Sequence, residues 1–330
     1  MKKIIYALVV IFIVIFAGVV YKISIDTKKD ALKLDNVSLR LKWINQAQFS
    51  GYYLANSQKL YDDKGLNVEI NPGGPDISPV QMVATGVNHF GITGADQIIL
   101  AREKGIPLVA LAVIYKNSPI VVMSLAEKNI KEPKDLIGKK VEVVYGRDEE
   151  VIYDIFLKKA GIDRKTINEM PTLTDFSMIT SGQSDARVEY KLNGCVLLSL
   201  QGFNLNIIEP SDYGIKFYAD TLFTTEKMIQ EKPEVVRKFV QASIEGWKIA
   251  IADQPKAIDE LMKINSILNR EHQTKFLEQS IPLIIGDGEI GYSNKDVWTE
   301  MQEALLEQGL QKSAIDIDKV FTNEFLKPLE

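Results

Sequence analysis

The chain has 330 residues, enough for two domains of about 150 residues each. Hydrophobic residues at 46% and charged residues at 25% are globular proportions, which argue against disorder and against a multi-span membrane protein. The 39 basic and 44 acidic residues give a net charge of -5, so no nucleic-acid partner is expected.

Cys195 is the single cysteine, which excludes an internal disulfide and cysteine-rich zinc sites by count. With only His89 and His272 besides, no metal and no cofactor is expected.

Lys2 and Lys3 precede an unbroken apolar run of 18 residues, Ile4–Tyr21. That length is at the short end of what crosses a bilayer as a helix. The candidate cleavage site at Ala17-Gly18 is followed by Val19-Val20-Tyr21, a poor match, and no cysteine follows for lipid attachment. Residues 1–25 are therefore expected to be a signal anchor rather than a cleaved signal peptide, with Lys2 and Lys3 in the cytoplasm. Without Lys2, Lys3 and Lys22 the balance is 36 basic against 44 acidic, so an exported body would carry about -8. The Lys/Asp-rich stretch 26–36 reads as a linker.

From Val37 a strand–helix rhythm begins. Val37, Leu39, Leu41 and Trp43 alternate with Ser38, Arg40 and Lys42, the period-two pattern of a strand. A helix over 52–62 should end at Gly65, and 66–70 alternates again. Pro72-Gly73-Gly74-Pro75-Asp76 must be a loop. Ser78-Pro79 opens a helix that stops at Gly86. A strand over 89–93, a helix over 95–104 and an apolar strand over 108–115 complete the first module. The second has strands at 119–123, 140–144, 186–188 and 206–208. Its helices are expected at 133–136, 149–159, 176–181 and 192–200. After an extended run over 218–224 the chain turns helical, at 225–231, 233–252 and on toward Leu326.

Two strand–helix modules followed by a helical tail predict an α/β protein with mainly parallel sheets. The extended runs near 118–123 and 216–223 bracket the middle module, as a discontinuous domain requires. The expected division is 37–118 plus 219–330 for lobe one and 119–218 for lobe two.

Ligands in such folds sit outside the carboxyl ends of the strands. The loops there carry Trp43, Gln48, Phe49 and Tyr52; Asp76; Gly94 and Asp96; Ser118; Tyr145 and Glu149; and Tyr190. Aromatic faces suit a flat ring, and amides and acids suit ring-bound donors. The blander roles are core packing for the aromatics, and helix capping or first-turn charge for Asp96 and Glu149. No G-x-S-x-G elbow and no phosphate loop with lysine occurs. His89 reads as structural, and His272, on a helix with a polar face, as exposed. No catalytic residue is expected, and a binding module is the better reading.

The strings from Leu41-Lys42-Trp43 to Tyr53, Pro72–Asp76, Gly91–Gln97, Leu100–Pro107, Glu209–Gly214 and Tyr218–Glu226 carry a resemblance. Over about residues 37–265 the chain resembles the thiamine-pyrimidine-precursor (ThiY-like) group of ABC-importer substrate-binding proteins, a scaffold shared with sulfonate, nitrate and flavin binders. Asn45 and Phe49 stand where many pyrimidine binders of that group have Pro and His. The resemblance implies a type II periplasmic binding fold: two lobes, two crossing strands, and a cleft that closes on ligand. It also implies an ABC permease and ATPase as partners. The pyrimidine synthases of the same superfamily use a cysteine-rich segment and an active-site histidine, a pattern this chain departs from. The expected function is capture of a small heteroaromatic solute outside the cytoplasm. The alternatives are a ligand-sensing ectodomain for a membrane signalling partner, or an enzyme.

Overall fold

The computed structural model describes residues 34–286 and 288–327. The expected signal anchor and nearly all of the expected linker lie outside the described residues.

In chain order the strands and helices alternate as β1 (Asp35–Arg40), α1 (Ser50–Ser57), β2 (Leu66–Asn71), α2 (Pro79–Ala84), β3 (Phe90–Thr93), α3 (Ala95–Glu103) and β4 (Leu108–Val113). Then follow β5 (Ile120–Leu125), β6 (Lys140–Val143), α4 (Asp148–Lys159), β7 (Asn168–Pro171), α5 (Ser177–Thr180), β8 (Ala186–Tyr190), α6 (Gly194–Leu200) and β9 (Leu205–Ile208). The chain continues through β10 (Thr221–Thr225), α7 (Glu226–Glu231), α8 (Pro233–Ala252), α9 (Gln254–Ile264), α10 (Arg270–Ile285) and α11 (Lys295–Glu307).

The strands form two five-stranded sheets, ordered β2-β1-β3-β10-β4 and β7-β6-β8-β5-β9. β1 is parallel to β3, and β6 is parallel to both β7 and β8. The expectation of mainly parallel sheets needs one refinement. β10 runs antiparallel to β3 and β4, and β5 antiparallel to β8 and β9. These two strands are the extended runs where the chain passes from one module to the other. A strand reached by such a direct passage, without a helical crossover, is free to run against its neighbours. β7 is a finding that alternation did not signal: its Asn168-Glu169-Met170-Pro171 has one apolar side chain besides proline, as befits an edge strand.

The sheets read as their burial dictates. β4 and β5 are buried along their whole length and are continuously apolar but for Ser124. α8 carries Pro233 in its first turn, where a missing N–H costs nothing, and buries Val236, Phe239, Val240, Ser243, Trp247 and Ala250 at helical spacing. Against it lies α1. A Cβ on Gly51 would fall inside the Trp247 indole, and one on Gly246 inside the Gly51 carbonyl oxygen. Two glycines thus bring these helices close enough for Trp247 to fill the gap, and Tyr52 meets that indole edge-on, with centroids 5.8 Å apart. Phe90, Phe239 and Tyr61 stack in series beside them.

Candidate ligand-binding cleft

The segment after β1 turns from sheet to cleft within three residues. Leu41 is buried and still bonds β2 through its N–H to Asn71 O, at 2.9 Å. Lys42, read in the sequence as an outward strand position, is instead buried at 4% exposure. Its Nζ lies 2.5 Å from Asp148 Oδ2, 3.6 Å from Asp220 Oδ1 and 5.1 Å from the centroid of the Tyr190 ring. Burial alone would push its pKa down. The negative charges of Asp148, Asp220 and Glu149 outweigh burial, and the ammonium is held above its ordinary value.

Asp220, immediately before β10, collects the other bonds. Gln48 Nε2 donates to its Oδ2 at 2.7 Å, and the Tyr190 hydroxyl to its Oδ1 at 2.7 Å. On β8, Arg187 and Glu189 share one face two residues apart. Arg187 Nε donates to Glu189 Oε2 at 2.7 Å; its Nη1 donates to Asp175 O at 2.6 Å and reaches Glu142 Oε2 at 3.3 Å. The guanidinium lies 4.3 Å from the centroid of the Phe176 ring.

These groups enclose a cavity of about 40 Å³ between the two sheets, lined by Lys42, Trp43, Gln48, Glu149, Arg187 and Tyr190 among others. A cavity that takes a benzene ring is nearer 150 Å³, so a ring can enter only if these walls part. A second, more polar cavity of about 260 Å³ adjoins it, sharing Lys42 and lined by Asp76, Gln97, Tyr145 and Arg147.

Glu149 is the exceptional group. It is buried at 8% exposure, and its Oε2 has no hydrogen-bond partner among the described residues. Burial and the neighbouring Asp148 charge push its pKa up to about 8. Asp96, bonded by Gln97 Nε2 at 2.6 Å, is pushed up to about 7 by burial and by Asp148. Burial also acts on Asp148, but Lys42 outweighs it and holds this carboxyl below its usual range.

The structure gathers Trp43, Gln48, Glu149 and Tyr190 around the small cavity, and Asp76 and Tyr145 around the larger one. Phe49 and Tyr52 do not face the cleft. Both are fully buried in the hydrophobic core, because the turn after Gln48 points the following helix inward. Gly94 acts by its missing side chain: a Cβ there would strike Asp148. Ser118 caps the entry to β5, accepting from Ile120 N at 3.3 Å. His272, expected to be exposed, is buried at 5%; its Nε2 pairs with Asn193 O at 3.0 Å and its Nδ1 with the Gln273 amide. His89 is tied to Ser38 in the first sheet. Sequence reasoning missed Lys42, Arg187, Glu189 and Asp220. Arg187 and Glu189 lie inside β8, which is buried along its length, while Lys42 and Asp220 lie just outside β1 and β10; the signal in each case was charge set among apolar neighbours.

The model of proteins described as NMT1/THI5 like matches residues 46–257. The chain belongs to the NMT1/THI5-like family. It is 25% identical over 306 residues to a riboflavin-binding protein of Chloroflexus aurantiacus, covering 89% of this chain and 86% of that one. It is also 25% identical over 284 residues to a formylaminopyrimidine-binding protein of Halalkalibacterium halodurans, covering 84% and 86%. At 20% identity over 296 residues it matches a 4-amino-5-hydroxymethyl-2-methylpyrimidine phosphate synthase of Legionella pneumophila, covering 88% and 92%. The periplasmic aliphatic sulphonate binding protein of Escherichia coli superposes with a TM-score of 0.68 at 18% identity, covering 86% of this chain and 91% of that one. This NMT1/THI5-like chain therefore has the two-lobed periplasmic binding-protein fold.

Proposed function

We propose that this chain is an extracytoplasmic solute-binding protein that encloses a neutral or cationic heteroaromatic solute between its lobes and delivers it to an ABC permease and ATPase. The observation that carries the reading is the balance of charge around the cavity. Each buried cation is already doubly countered: Lys42 by Asp148 and Asp220, Arg187 by Glu142 and Glu189. Acids outnumber cations there, and Glu149, which keeps its proton near neutral pH, has one oxygen, Oε2, that meets no donor among the described residues. A ring bearing an amino group or a protonated nitrogen supplies that donor, and Trp43 and Tyr190 supply apolar faces. A small anion would find no uncommitted buried cation among these cavity-lining residues.

The names of the riboflavin- and formylaminopyrimidine-binding relatives support the same ligand class. They also support binding over catalysis, as do the structural ties of His89 and His272. In this reading residues 37–118 and 219–330 form one lobe and 119–218 the other, and Ile4–Tyr21 anchors the chain in the membrane.

Native mass spectrometry of protein purified from a rich extract should reveal a co-purifying heteroaromatic compound, returned chemically unchanged. Calorimetry with pyrimidines, flavins, taurine and nitrate then ranks the classes. Tight binding of an anion with failure of every ring would overturn the reading.

A further inference from the structure

Arg147 and Asp148 lie side by side at the start of α4, beside the second sheet, yet both side chains engage segments of the first. Arg147 Nη1 donates to Lys42 O at 2.9 Å. Its Nη2 is shared among the carbonyls of Gly74, Pro75 (3.2 Å) and Ile77 (3.1 Å). The guanidinium carbon lies 5.2 Å from the centroid of the Trp43 ring.

The loop that offers these carbonyls is held for the purpose. Gly73 N donates to Trp43 O at 2.8 Å, and a Cβ on Gly73 would run into the backbone of Leu41, Lys42 and Trp43. The proline–glycine loop therefore lies flat on the segment after β1, and one fork reads both. The next residue, Asp148, accepts from Lys42 Nζ and fits against the bare Cα of Gly94.

We propose that Arg147 and Asp148 form a clasp that draws the two lobes together through bonds between protein groups alone, and that this clasp sets how long a solute stays enclosed. The inference goes beyond the binding reading, because every contact it uses is independent of the solute. Arginine is required by the geometry. A planar guanidinium can reach four carbonyls and still cover an indole, whereas an ammonium is a single point charge. A clasp of this kind biases the open–closed equilibrium before any solute arrives, and so adds to retention whatever the solute's own contacts are.

The test is the distance between the lobes in the full chain. Spin labels at Val87→Cys and Ile207→Cys, both surface positions (61% and 37% exposed), report it, while Cys195 is buried at 4% and stays unlabelled. The parent should give a narrow distribution. Arg147→Met, which removes the fork but keeps an unbranched side chain, and Arg147→Lys should each give a second, displaced population holding most of the molecules. Where riboflavin binds, its release followed by its own fluorescence should be at least tenfold faster in both variants. Distributions that superimpose on the parent's would overturn the clasp, whichever solute binds. If Arg147→Met lowers the folded fraction by circular dichroism, Arg147→Lys, which keeps the charge, carries the test with the same expected displacement. Failure of riboflavin and pyrimidines to bind, with the displaced population present, would sink the ligand class and leave the clasp standing.

Discussion

The Lys42 ammonium, from the segment after β1, lies 2.5 Å from the carboxylate of Asp148 at the start of α4, with both side chains buried. A buried pair of this kind gains little over an apolar substitute, because desolvating both ions offsets their attraction. Removing one partner is another matter. Lys42→Met should leave Asp148 and Asp220 without a counter-charge and cost about 3–5 kcal/mol of folding stability near pH 7. Urea unfolding measures it. Adding Asp148→Asn and Asp220→Asn to the same chain should recover much of the loss. A single variant within about 1 kcal/mol of the parent would mean the pair is hydrated in solution.

Trp43 lines the small cavity and is half-buried, with Arg147 against its ring. Trp43→Ala should weaken binding of the cognate ring by one to two orders of magnitude, about 1.4–2.8 kcal/mol. Trp43→Phe keeps an aromatic face and should lose less. Calorimetry on both variants checks this, and a Trp43→Ala protein that binds as well as the parent would remove Trp43 from the site.

The fold was more legible in the sequence than the cleft, for a physical reason. Burial on a strand or helix repeats with a fixed period, so α8 is found where its apolar spacing and Pro233 place it, over 233–252. The cleft has no period. Lys42 continues the alternation of β1 so well that it reads as an outward strand residue, and only the position of Asp148, 106 residues away, shows that it turns inward. Phe49 and Tyr52 failed in the opposite sense. They sit beside loop residues that do face the cleft, but both are buried in the core, Tyr52 edge-on against Trp247 of α8. Arg187 lay inside the expected strand 186–188 and Glu189 just past its end; the strand runs on to Tyr190, which sets the two on one face. The double role of glycine was half visible. Gly65 ends a turn with φ at 79°, as expected, whereas Gly51 and Gly94 matter through the neighbours they admit.

Gly51→Ala tests that last point. The added methyl would overlap the Trp247 ring, and neither α1 nor α8 can yield without disturbing the Phe90–Phe239–Tyr61 stack. Overpacking of this sort costs typically about 1–3 kcal/mol. Denaturant unfolding of Gly51→Ala should show a loss in that range. Combining it with Trp247→Phe, which gives the methyl room, should cost less than the two changes added separately. Strict additivity would show that the two residues do not press on each other.

Two buried carboxyls make the folded chain's stability depend on pH. The folded chain holds Glu149 near 8 against an ordinary value of 4.5, and Asp96 near 7 against 3.8. Between those limits the folded protein keeps protons that the unfolded chain has released. The stability they contribute is therefore fully present below the ordinary values and lost as pH rises through the folded ones. Asp148, shifted down, acts in the opposite sense and only toward more acid pH, where its contribution is lost as Lys42 loses its counter-charge. From pH 5 to 8 the ligand-free protein should thus become less stable, and Glu149 alone contributes at most about 1.4 kcal/mol per pH unit where the proton difference is complete. Glu149→Gln keeps the shape and removes the titration. Urea unfolding at pH 5, 6, 7 and 8 should show a shallower decline for Glu149→Gln than for the parent, with the two curves diverging most at pH 8, where the variant is the more stable. Parallel curves would place Glu149 in contact with water or with a donor, and its unpartnered oxygen would then no longer mark where the solute binds.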